Sequence, residues 1–139
     1  MKVGLLIIAH HPLGDAVLQT AVETLGRAPM PVRVLPVSRD EDRDRSMQRA
    51  RELAAELDQD DGLLVLTDIY GSTPSNIACS LQENSGVRVV AGLNLPMLIR
   101  VFNYADLDLD SLAEKALSGG HDGVLACCDV AQSEKSNHA

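Results

Sequence analysis

Lys2-Val3-Gly4-Leu5-Leu6-Ile7-Ile8-Ala9 decides how the rest of the chain is read. A strand with one wet face alternates apolar and polar residues, and this run does not. It predicts a strand covered on both faces, as in the interior of a parallel sheet. A basic residue ahead of an apolar run also resembles a signal peptide. This run is short, however, and ends in His10-His11-Pro12 rather than at a small-residue cleavage site. It is read as the first strand of a cytoplasmic protein.

Pro12 suits the first turn of a helix. Leu13, Ala16, Val17, Thr20, Ala21, Thr24 and Leu25 then recur at helical spacing up to Gly26. Val32–Val37 predicts a second strand, with Pro36 at a strand end or a poorly paired position. A helix is expected over Asp42–Leu57, a third strand over Gly62–Thr67, a helix over Pro74–Glu83 and a fourth strand over Val87–Ala91. Shorter helices are expected over Asn94–Tyr104 and Asp110–Leu117, and a last strand over Val124–Cys128 after a Gly119-Gly120 hinge. Strand and helix alternating at this spacing predict one α/β domain over residues 1–130. Its doubly wound, mostly parallel sheet carries helices on both faces. Residues 131–139 have almost no apolar content and are expected to be a disordered tail.

Composition narrows the function. The 139 residues carry a net charge of −8, which argues against nucleic acid or an anionic membrane as partner. The arginines from Arg39 to Arg51 are interleaved with acidic residues and read as a solvated, ion-paired helix face. No apolar run approaches the roughly 18–20 residues needed to cross a bilayer. Three cysteines make no disulfide framework, and buried thiols are expected.

Ligands of open α/β sheets gather at the carboxyl ends of the strands. The first strand ends there in His10-His11-Pro12. The third ends in Thr67-Asp68-Ile69-Tyr70-Gly71-Ser72-Thr73-Pro74-Ser75-Asn76. If these strands are neighbours, Asp68 can hydrogen-bond one imidazole nitrogen of His10 and leave the other free to attack. Gly71 lets the backbone approach a ligand, Ser72 and Thr73 offer hydroxyls, and Thr73 is the expected N-cap before Pro74. A helix N-terminus is an anion site, so the set suggests phosphoryl transfer. The pattern alone leaves open a structural histidine and a plain helix cap. His10, His11 and Asp68 make a poor metal set, because adjacent histidines on one turn rarely aim at one ion.

At these loops the chain resembles the IIA domain of the mannose/fructose/sorbose family of the bacterial phosphoenolpyruvate-dependent sugar phosphotransferase system. Ala9-His10-His11 and Leu13-Gly14-Asp15-Ala16 stand where the family has Thr/Ser-His-Gly and a Leu-Gly-Glu-like step. Asp68 to Asn76 follows its Asp-x-aromatic-Gly-Gly/Ser-Ser/Thr-Pro-x-Asn pattern. Gly92-Leu93-Asn94-Leu95-Pro96-Met97-Leu98 follows its Gly-Val/Leu-Asn-Leu/Ile-Pro-Met-Leu pattern. The resemblance implies that His10 accepts a phosphoryl group from the phosphocarrier HPr and passes it to a IIB protein. It implies that Asp68 hydrogen-bonds the imidazole and that Gly71, Ser72 and Thr73 line the phosphoryl site, with no cofactor and no metal. It also implies one antiparallel strand near the C-terminus and a homodimer formed through it.

His11 departs from the usual Gly. It reads as a bystander, because a residue entering a helix usually points outward; a helper in phosphate binding and a second acceptor are the other readings. No IIB segment follows in the chain, so the acceptor is expected to be a separate protein, in sugar uptake or a regulatory relay. Two alternatives remain: the phosphoryl-donor subunit of a dihydroxyacetone kinase, and a flavodoxin-like module holding a nucleotide or flavin. Against the second, only Tyr70, Phe102 and Tyr104 could stack on a ring, and the first strand lacks a Gly-rich phosphate loop.

Overall fold

The structure is a computed structural model that describes residues 2–128; the expected tail, residues 131–139, lies outside the described residues. The chain runs β1 (Gly4–His10), α1 (Leu13–Leu25), β2 (Val32–Val37), α2 (Arg43–Leu57), β3 (Leu63–Thr67), α3 (Thr73–Ser80), β4 (Val87–Val90), α4 (Leu95–Asn103) and α5 (Leu109–Asp122). A 3-10 turn, Leu81–Glu83, prolongs α3. The strands form one sheet in the order β2-β1-β3-β4, and every pairing is parallel.

The unbroken apolar run of β1 follows from its place inside this sheet. Leu5, Ile7 and Ala9 face a core layer shared with α1, α4 and α5. Leu6 and Ile8 face a second layer with α2 and α3. Leu5, Leu6, Ile7 and Ile8 are fully buried, each contributing about 1.5–3 kcal/mol relative to exposure. Pro36 is tolerated because β2 is an edge strand, whose outward positions need no N–H donor. Side-chain caps set the helix starts: Asp42 accepts from the Asp44 N–H, Asn94 from Met97 and Asp108 from Ser111. Among the described residues, no helix is long and apolar enough to cross a membrane.

The C-terminal region corrects the expectations. Val124–Ala126 is irregular, and Cys127 and Cys128 begin a helical turn, so no strand forms at Val124–Cys128. The antiparallel strand is therefore absent among the described residues. Gly119 and Gly120 are no hinge either, because α5 continues through them to Asp122. They are points of close approach between α5 and α4: a Cβ at Gly119 would lie 2.7 Å from the Arg100 Cβ, and one at Gly120 2.7 Å from the Met97 Cε. The expected burial of the thiols also fails: Cys79 is partly buried, and Cys127 and Cys128 are exposed.

Candidate functional site

In this strand order the chain leaves β1 towards β2 on one side and later returns to pair β3 on the other. The crevice where the order reverses is the usual ligand position of such sheets. His10 is the last residue of β1, and Asp68 directly follows β3. Along β1 the side chains alternate, so His10 projects to the α2/α3 side with Leu6 and Ile8. Its ring is about half exposed, whereas the Asp68 side chain is buried.

Asp68 is held by three donors. Its Oδ2 accepts the His10 backbone N–H at 2.9 Å and lies 2.7 Å from the ring Nδ1. Its Oδ1 accepts the Ile69 N–H at 2.8 Å. Burial by itself pushes the Asp68 carboxyl up. The hydrogen bonds from the His10 backbone, the His10 ring and the Ile69 backbone, with the charge of His10, outweigh it and hold the group below its ordinary 3.8. A carboxylate only accepts, so in the neutral ring the proton sits on Nδ1 and the lone pair of Nε2 is free. The main chain of Asp68 is also fixed from the far side. Gly92 donates to the Asp68 carbonyl at 2.7 Å, and Leu93 donates to that of Thr67 at 3.0 Å. Gly92 and Leu93 thus position the acid.

The second loop divides its donors. Ser72, not Thr73, is the N-cap of α3: its Oγ accepts from the Ser75 N–H and donates to the Ile69 carbonyl at 2.6 Å. Thr73 and Pro74 occupy the first helical positions instead. Gly71 adopts φ +88°, where a side chain would be strained, and its N–H is taken by the Ser75 Oγ at 3.2 Å. The Ser72 N–H goes to the Ile69 carbonyl at 3.2 Å. Among the described residues the Thr73 N–H has no partner, so it is the donor left at the N-terminus of α3.

His10, Thr73 and Pro74 line one recess of about 390 Å³. Its opposite wall is Val37, Ser38, Arg39, Glu41, Arg43 and Ser46, from the end of β2 and the start of α2. The sequence reading missed this wall, although His10 pairs in register with Val37, two residues before Arg39. Of the five arginines from Arg39 to Arg51, only Arg49 forms an ion pair among the described residues, with Glu52 at 3.4 Å. The ion-paired face holds for that one arginine alone. His11 is exposed, and its backbone N–H donates to the Val37 carbonyl at 3.0 Å. Ile69 and Tyr70, at 66% and 81% exposure, present apolar surface beside Asp68. The Thr67 Oγ1 is buried without a hydrogen-bond partner among the described residues.

Comparison with known proteins places this arrangement in a family. Residues 4–117 match the family model described as PTS system fructose IIA component. The PTS system mannose-specific EIIAB component of Escherichia coli strain K12 is 29% identical over 129 residues, covering 91% of this chain and 40% of that protein. The chain thus spans well under half the length of the curated relatives it matches. Among solved structures, the PTS IIA protein associated with the fucose utilization operon of Streptococcus pneumoniae superposes with a TM-score of 0.79 at 25% identity, covering 91% of this chain and 93% of that one. The mannose/sorbose-specific IIA subunit of Enterococcus faecalis gives a TM-score of 0.75 at 26% identity, covering 91% and 95%. By its fold, its two strand-end loops and the extent of these matches, the chain belongs to the mannose/fructose/sorbose family of phosphotransferase-system IIA components.

Proposed function

We propose that this chain is a cytoplasmic histidine phosphocarrier: His10 takes a phosphoryl group from phospho-HPr and delivers it to a IIB protein in sugar uptake. The observation that carries this reading is the 2.7 Å contact between Asp68 Oδ2 and His10 Nδ1, with Nε2 left for the recess. The Nε2 lone pair attacks phosphorus in line with the donor's P–N bond. That bond breaks, and its electron pair returns to the donor's ring. The imidazole of His10 gains positive charge as the new P–N bond forms, and the buried carboxylate of Asp68 stabilises it. The transferred oxygens meet the Thr73 N–H and hydroxyl at the positive end of α3, while Gly71 and Ser72 shape the turn that places them. Delivery to IIB is the same step in reverse, with a different nitrogen or sulfur as acceptor. No cofactor or metal enters this chemistry.

Ile69 and Tyr70 form the apolar contact surface on which HPr and the IIB partner dock in turn. Exposed Leu117, Val124 and Leu125 near the end of α5 supply a surface for self-association as a homodimer, and light scattering at micromolar concentration measures its mass. For the carrier reading itself, the chain is incubated with phosphoenolpyruvate, the first enzyme of the system and HPr. Phosphate is then mapped by mass spectrometry at neutral pH. The expected product carries one phosphoryl group in the peptide containing His10, and absence of any phosphate on the chain contradicts the reading.

A further inference from the structure

We infer that Arg39 and Arg43 form a guanidinium clamp for the phosphoryl group at His10, an inference that rests on the phosphocarrier reading. Arg39 lies two residues beyond Val37, the register partner of His10, and Arg43 opens α2; both line the recess that His10 lines. Neither forms an ion pair among the described residues, although the chain carries twenty acidic side chains. Two cations without ion-pair partners among the described residues of so acidic a chain, lining the recess that His10 lines, suit a dianion that is present only part of the time. Glu41 borders the same recess, but its carboxylate accepts the Ser46 hydroxyl at 3.0 Å rather than a guanidinium. Asp68 is already held by His10 and Ile69.

A phosphoryl group on Nε2 carries two negative charges spread over three terminal oxygens. The planar fork of arginine meets two such oxygens at once, and its charge does not depend on pH in the working range. Thr73 lines the recess from the α3 side, and Arg39 and Arg43 line it from the α2 side, so donors stand on both sides of the space next to His10. The arginines exchange no atom. They shift the equilibrium between phospho-HPr and the phosphorylated chain towards the latter, and they shield the P–N bond from water.

Three proteins decide the matter: wild type, the Arg39→Gln/Arg43→Gln double variant and the Arg39→Lys/Arg43→Lys double variant. Each is equilibrated with phospho-HPr, and inorganic phosphate is separately titrated onto the unphosphorylated proteins while the His10 ring resonances are followed by NMR. The clamp predicts that the glutamine variant, at an unchanged melting temperature, shifts the transfer equilibrium about tenfold towards HPr. It also predicts that this variant loses the phosphate response of the ring and that the lysine variant falls between. Equal labelling, equal phosphoryl half-life and an equal phosphate response in wild type and glutamine variant overturn the clamp while leaving the carrier reading intact. If wild type takes no label from phospho-HPr, the carrier reading fails and the phosphate titration alone decides. An arginine-dependent response then supports the anion site, and no response overturns it.

Discussion

Asp68 grips His10 at two points: one carboxylate oxygen accepts the backbone N–H at 2.9 Å and faces the ring nitrogen at 2.7 Å. The first contact fixes where the residue sits at the end of β1, and the second fixes which nitrogen carries the proton. Both depend on β1 and β3 being neighbours in parallel register, which sets Ile8 beside Thr67 just before the two loops.

Replacement of Asp68 by Asn removes the charge and keeps the shape. A hydrogen bond to a charged group is worth about 1.5–3 kcal/mol, so transfer should slow about 10- to 100-fold in both directions. Rapid-quench measurement with phospho-HPr checks this. An unchanged rate removes Asp68 from the chemistry.

The same carboxylate gives a pH signature. Its folded value lies below the ordinary 3.8, so it contributes stability that is fully present above about pH 5. That contribution is lost as pH falls through the folded value. In urea unfolding at successive pH values, the advantage of wild type over Asp68→Asn should shrink on this acid limb. A difference that stays constant down the limb contradicts the assignment.

Thr67 offers a test on the buried side of the site. Its hydroxyl has no partner among the described residues, so Thr67→Val should raise stability by about 1 kcal/mol in thermal unfolding. Loss of stability instead would mean that the hydroxyl is satisfied in solution.

The packing of α5 on α4 separates two neighbouring glycines. At Gly119 a new Cβ would meet the Arg100 Cβ, which cannot move without its backbone, so Gly119→Ala should cost about 1–3 kcal/mol. At Gly120 the nearest atom is the mobile end of Met97, and Ala gains up to about 1 kcal/mol of helix propensity. Gly120→Ala should therefore be close to neutral. Equal losses at both positions would refute this account of the contact.

Much of this was legible in the sequence because local and global signals agree. The apolar run of β1, Gly26 as the αL cap of α1 and the boundaries of β2 follow from patterns that tertiary contacts reinforce. The pairing of His10 with Asp68 needed one step more, the adjacency of β1 and β3. The C-terminus misled because Gly119 and Gly120 disfavour a helix in isolation, and only their fit against Met97 and Arg100 explains them. Ser72 and Thr73 are both good caps, and which one serves depends on the turn after Asp68. Arg39 and Arg43 read as part of a solvated helix because charge pattern says nothing of the recess that faces them.

Whether His10 is a reversible phosphoryl carrier is decided by the fate of the phosphate after transfer from phospho-HPr. A phosphoramidate should form on His10 that is lost in acid, is comparatively stable in base and returns to HPr when unphosphorylated carrier is added. It should be absent from His10→Ala and retained in His11→Ala. Acid-stable phosphate on Ser72 or Thr73, label that HPr cannot recover, or labelling that survives in His10→Ala would contradict it.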